Sequence, residues 1–182
     1  GMNPETERRY KANRLTVTRQ LQYSPHHTNS LDLTLSLNGL PVATAELKNP
    51  FKGQDVQNAI KQYRFDRDPR EALFAFGRCL GHFAVDPDLV YLTTHLTGKK
   101  SRFLPFNQGR NGGAGNPPSW KSFSTAYLWE ETWSRDSVLD LIQNFIQIVE
   151  EEDDKGKKTG KKSLLFPRYH QLDSVRRLVA DA

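Results

Sequence analysis

Cysteine is nearly absent from this chain: Cys79 stands alone among 182 residues. A single thiol cannot close an internal disulfide, which sets aside cross-linked secreted scaffolds and fits a reducing cytoplasm. Long apolar runs are missing too. No stretch approaches the roughly 20 apolar residues that a membrane helix needs. The opening Gly1-Met2-Asn3-Pro4 lacks the apolar core of a signal peptide, and Gly1 before Met2 reads as a tag scar. His26, His27, His82, His95 and His170 show no zinc-ligand spacing. The run from Gly156 to Lys162 is one residue short between its glycines and has no Ser or Thr after the lysine, so it is not a phosphate loop. Gly112-Gly113-Ala114-Gly115 runs into Pro117-Pro118, where a dinucleotide-binding helix would have to start, and reads as a surface loop with Arg110 beside it.

What is present is a polar chain long enough for one domain with a real core. Lys and Arg number 26 against 21 Asp and Glu, a net charge of +5. That excess favours polyanionic partners only mildly, because part of it sits in a lysine-rich segment near the C-terminus.

Apolar spacing lays out the elements. An edge strand is expected around Arg14–Gln20. Leu31, Leu33, Leu35 and Leu37 alternate with polar residues as a half-buried strand, Asn38-Gly39 signals a tight turn, and Val42–Lys48 returns. A helix follows over Asp55–Asp66, with Val56, Ala59, Ile60 and Tyr63 on one stripe. Leu73–Phe76, His82–Val85 and Val90–Thr94 read as strands, and Leu104–Pro118 as a loop. Ser134 is a candidate N-cap for a helix over Arg135–Val149. Glu150–Lys162 is acidic then basic and reads as a mobile linker; a short helix ends the chain. Cys79, the Trp129–Trp133 pair and Phe103–Phe106 read as core. The pattern is a mixed α/β domain.

Asp32, Glu46 and Lys48 carry the chemistry. Glu46 and Lys48 are two apart on one strand and so share a face. An acid from the neighbouring strand would complete a site for a divalent metal that activates water, the equipment needed to cut a phosphodiester. Asp32 joins that face only if the hairpin has the right parity, since directly opposed residues of an antiparallel pair share a face. A two-residue Asn38-Gly39 turn pairs Leu37 with Leu40, hence Asp32 with Ala45, and the site fails. A three-residue turn with a left-handed Gly39 bulge pairs Ser36 with Leu40 and sets Asp32 opposite Thr44, diagonal to Glu46. Asn-Gly suits either. The site therefore requires an odd-length turn or a bulge; without one, these residues are the solvated face of a hairpin. Given that geometry, Asp32, Glu46 and the Leu47 carbonyl offer hard oxygen ligands for Mg²⁺. Gln57, Lys61, Gln62 and Arg64 on the following helix could grip DNA phosphates.

The segment Asn29-Ser30-Leu31-Asp32-Leu33, followed by Gly39-Leu40-Pro41-Val42-Ala43-Thr44-Ala45-Glu46-Leu47-Lys48-Asn49-Pro50, resembles the nuclease domain of type I restriction endonuclease R subunits. The similarity continues through Gln62-Tyr63-Arg64, Leu73–Phe76, His82–Asp86, Phe103–Asn107 and Tyr127–Glu131, and ends at Phe166–Leu172. It covers roughly Arg14 to Leu178. The resemblance implies a restriction-endonuclease-like α/β fold, a central mixed β-sheet flanked by helices, with Asp32, Glu46 and Lys48 as the PD-(D/E)xK trio and Mg²⁺ as cofactor. The family's Gln-x-x-x-Tyr motif is broken here: Ala59 stands four before Tyr63 while glutamines occupy 57 and 62, and Gln62 and Tyr63 are the expected stand-ins near the scissile DNA, with Gln57 and Arg64 as further supporting contacts.

It further implies a nuclease domain over residues 1–149, a charged linker over 150–162, and the start of an ATP-driven translocase over 163–182. There Phe166, Arg168 and Gln171 resemble an adenine-reading element. The chain is expected to begin downstream of the family's leading helix and to hydrolyse no ATP; ATP belongs to the full-length subunit. The implied partners are double-stranded DNA and the methyltransferase and specificity subunits, in the cytoplasm and with no membrane. A non-catalytic module of the same fold, or a repair-type nuclease domain, is the alternative.

Overall fold

The computed structural model describes residues 3–154 and 156–181. Gly1 and Met2, the expected tag scar, lie outside the described residues. Six strands form one mixed sheet in chain order: β1 (Leu15–Gln22), β2 (Ser30–Leu37), β3 (Leu40–Leu47), β4 (Gly81–Val85), β5 (Val90–Thr93) and β6 (Leu104–Pro105). All neighbours are antiparallel except β3 and β4, which are parallel. A parallel pair needs a long crossover, and residues 48–80 supply it with α2 (Val56–Phe65). This is the expected α/β architecture of a restriction-endonuclease-like core.

All five residues of β4 are buried, so the sheet is covered on both faces. Alternation decides which side each residue serves. Ala84 packs with Val56, Ala59 and Ile60 of α2. Phe83 and Val85 face the other way, onto Trp133 and onto Val138 of α3 (Arg135–Asp140). Helix α2 starts at a capping box between Asp55 and Asn58, and its buried residues recur three and four apart. Gly81 opens β4 where a Cβ would lie 2.6 Å from Leu92 Cδ1.

The expected loop over Leu104–Pro118 opens with the short strand β6, and four further segments differ from the sequence expectation. An N-terminal helix, α1 (Pro4–Lys11), precedes β1; Asn3 caps it, Pro4 opens it, and Glu5 and Glu7 pair with Arg8, Arg9 and Lys11. It buries nothing, so no apolar stripe marks it. Leu73–Phe76 is not a strand: Ala72–Phe74 forms a 3₁₀ turn burying Leu73 and Phe74 together, without alternation. The helix expected to reach Val149 widens into a π-type turn at Leu141–Phe145, and Ile146 is extended. In place of a mobile linker, β7 (Gln147–Glu152) and β8 (Lys158–Leu165) form a hairpin, Glu150 opposite Lys162 and Glu152 opposite Lys158. The acidic and basic blocks are therefore complementary strands. Leu164, near the end of β8, is buried, and beyond it Phe166, Tyr169 and Leu172, the last two in α4 (Tyr169–Ala180), belong to or pack against the core.

Candidate functional site

The β2–β3 hairpin decides whether Asp32 and Glu46 meet. Its turn has two residues, Asn38 and Gly39, with φ of 52° and 84°, the left-handed pair that a tight hairpin turn requires. Leu37 opposes Leu40 and Ser36 opposes Pro41. Continued unchanged, that register would set Asp32 against Ala45. Instead it shifts between Ser36 and Leu35, so that Leu35 opposes Ala43, Thr34 opposes Thr44 and Leu33 opposes Ala45. Val42 is the extra residue of a β-bulge, next to a proline with no N–H to give the ladder. The ladder ends at Leu33 and Ala45; carried one step further, the shifted register would bring Asp32 level with Glu46, and the Asp32 charge acts on the Glu46 carboxyl.

Past Leu33 and Ala45 the two strands part. The Leu47 N–H donates to Asp32 Oδ2 at 2.8 Å, and Gln20 Nε2 donates to Asp32 Oδ1 at 2.9 Å. Arg67, only 5% exposed, reaches the same region from beyond α2. Its Nε donates to Glu46 Oε1 at 2.8 Å, and its Nη2 lies 2.7 Å from that oxygen and donates to the Ser30 carbonyl at 2.8 Å. Glu46 has no exposed surface, and its Oε2 has no hydrogen-bond partner among the described residues.

Burial raises the Glu46 carboxyl from its ordinary 4.5 to about 7; Arg67 opposes the rise and Asp32 adds to it. One guanidinium thus offsets only part of the cost of burying this carboxylate. A bare carboxylate oxygen beside a second acid fits a divalent cation. No group of three or more His, Cys, Asp or Glu side chains suited to a metal occurs among the described residues. Two carboxylates, with the remaining positions left to water, a carbonyl or phosphate, suit Mg²⁺ better than zinc.

Lys48 follows directly on β3; its N–H donates to the Val85 carbonyl at 2.8 Å, and its Nζ donates to Gln62 Oε1. Gln57 is exposed on the first turn of α2. Tyr63 has no exposed surface, so it cannot touch a duplex; its hydroxyl bonds Thr44 Oγ1 at 2.8 Å, and that oxygen lies 2.8 Å from His82 Nδ1. Burial pushes the Tyr63 phenol well up and His82 down to about 3, so this layer under β3 is uncharged. Arg64 spends its fork on the Ser101 carbonyl, at 3.1 and 3.0 Å, and lies over Phe103. An apolar cleft of about 220 Å³ opens beside Lys48, lined by Leu47, Phe51, Phe123 and Trp129.

At the far end, Phe166 packs edge-on against Phe83 and Phe106. Arg168 and Gln171 are exposed, and Gln171 Oε1 accepts the Arg168 N–H at the start of α4. Cys79 is buried, and burial pushes its thiol up to about 12. Sequence reasoning missed Arg67, Gln20 and Ser30. The first two reach the acids from segments outside the hairpin, and no periodicity marks them.

No helix among the described residues is long and apolar enough to cross a membrane. Residues 4–101 match the family described as type I restriction enzyme R protein N terminus. A protein of Methanocaldococcus jannaschii, provisionally named a type I restriction enzyme MjaVIIIP endonuclease subunit, is 28% identical over 151 residues, which make up 80% of this chain and 13% of that protein. The chain thus spans about an eighth of that relative's length. With more than half of its residues matched, this chain belongs to the type I restriction enzyme R protein N-terminal family.

Proposed function

We propose that this chain is the Mg²⁺-dependent endonuclease domain of a type I restriction R subunit, cutting double-stranded DNA without sequence choice of its own. The observation that supports it most is the bulge whose shifted register, carried one step past Leu33 and Ala45, brings Asp32 level with the buried, half-satisfied Glu46, with Lys48 two residues on. When bound, the metal lowers the pKa of a coordinated water and offsets charge building on the phosphate. Asp32 and Glu46, with the Leu47 carbonyl, would hold it. Arg67 fixes Glu46 through one oxygen and leaves the other without a protein partner, free to serve as a ligand. Lys48, steadied by Gln62, orients the attacking water and balances phosphate charge. Gln57 and Lys61 lie on the same helix for backbone contacts.

In this reading cleavage follows ATP-driven translocation by motor domains that Phe166, Arg168 and Gln171 introduce, and site recognition belongs to methyltransferase and specificity subunits. The test is Mg²⁺-dependent nicking by the whole complex carrying Asp32→Ala or Lys48→Ala. Both are expected to abolish nicking while ATPase activity persists; undiminished nicking would sink the catalytic assignment and leave a non-catalytic module of the same fold.

A further inference from the structure

Gln20 lies within β1 yet has φ of +51°, a left-handed conformation that only Gly, Asn and Asp adopt with ease. The β1–β2 ladder pairs Arg19 with Leu33 and resumes with Leu21 and Leu31, omitting the step between Gln20 and Asp32. Around that step β2 changes phase. Leu33 packs in the cluster on the α3 side, whereas Leu31, two residues earlier, packs with Tyr63 on the α2 side. Backbone strain of this kind persists only where surrounding contacts hold it, and it concentrates at functional positions.

The contacts are specific. Ser30 Oγ donates to Gln20 Oε1 at 2.7 Å, and Gln20 Nε2 donates to Asp32 Oδ1 at 2.9 Å. The amide orientation follows from chemistry alone, since a carboxylate only accepts and a hydroxyl can donate. With the Leu47 N–H on Oδ2, each oxygen of Asp32 receives one fixed donor and keeps a lone pair for another ligand. Ser30 also ties this arrangement to the second acid, because its carbonyl accepts from the Arg67 guanidinium that holds Glu46.

We propose that Gln20 is a positioning residue for Asp32, kept in a left-handed backbone by its own side-chain contacts so that its amide sets the plane of that carboxylate for metal binding. The inference rests on the metal-site reading above. Hydrogen-bond partners of ligating carboxylates typically govern metal affinity by 10- to 100-fold. Because this bond is exposed, the lower end applies.

The experiment is Mn²⁺ titration calorimetry on this chain, with thermal melts in parallel, for the wild type, Asp32→Ala, Gln20→Ala and Gln20→Gly. Asp32→Ala is expected to abolish binding. Gln20→Ala and Gln20→Gly should weaken it equally, by about tenfold. They should differ in melting temperature, since only glycine relieves the left-handed strain. Wild-type affinity in Gln20→Gly would overturn the proposal by showing that the amide does nothing for the metal. Loss in Gln20→Ala alone would overturn it in favour of a backbone effect. Binding indifferent to Asp32→Ala, or absent in the wild type, would remove the metal site itself and this inference with it.

Discussion

Glu46→Gln replaces a buried carboxyl by a neutral isostere and isolates what its ionisation costs the fold. Burial raises the Glu46 pKa from 4.5 to about 7. Between those values the folded protein still holds a proton that the unfolded chain has released, so stability falls as pH rises through the window. At about 1.36 kcal/mol per pH unit, the rise from 4.5 to about 7 amounts to roughly 3 kcal/mol, fully lost by about pH 8. His82 acts in the opposite sense. Burial lowers its pKa from 6.5 to about 3, so its contribution is present above 6.5 and is lost as pH falls. His82 is common to both proteins and cancels in their difference. The glutamine Oε1 still accepts from Arg67, which limits any pH-independent penalty.

The assay is urea unfolding of both proteins in EDTA, from about pH 4.5 to about pH 8. The stability of Glu46→Gln relative to wild type should rise by about 3 kcal/mol across that range. Parallel profiles would refute the reasoning, since they would mean that Glu46 ionises in the fold as easily as in the unfolded chain. Mg²⁺ supplies a second arm: it should stabilise wild type at the alkaline end, where the carboxylate is ionised, and leave Glu46→Gln unmoved.

Arg67→Leu leaves Glu46 buried without its cation and should cost about 3–5 kcal/mol by urea unfolding, while Glu46→Met with Arg67→Met should recover most of that loss. Gly39→Ala meets no atom within 4 Å but forces a side chain to φ of +84°; it should cost about 1 kcal/mol and leave Mn²⁺ affinity unchanged, so a loss of affinity would show the turn to be coupled to the site.

Most of the sheet was legible because its strands obey a period of two: β2, β3, β4 and β5 fall where the alternation or the short apolar runs put them. Helix α2 was legible from its stripe and from Asp55. The misses share a cause. Helix α1 buries nothing, so only its cap and charge pairs could have marked it. The apolar face after Ser134 continues into a π-type turn, and apolar residues alone do not show where a helix widens and stops. The hairpin β7–β8 looked like a linker because it is almost wholly exposed and because its charge blocks were read along the chain rather than across it.

The parity of the β2–β3 hairpin is the deeper case. Asn38-Gly39 leaves the turn ambiguous, and the turn that forms is the two-residue one that alone would have separated Asp32 from Glu46. What restores the shared face is the bulge directly after Pro41, where the register shifts by one residue. Pro41 sits at the start of β3, opposite Ser36 alone, because the β4 ladder begins only at Ala43, and so the proline is tolerated there without dictating the bulge. What no local rule could supply is the second layer. Arg67 acts 21 residues from Glu46 and Gln20 acts 12 residues from Asp32. Gln20 comes from β1, at the step where the β1–β2 ladder skips a pair, and Arg67 from beyond α2, so both contacts exist only in the folded sheet, where they fix the orientation of two carboxylates on neighbouring strands.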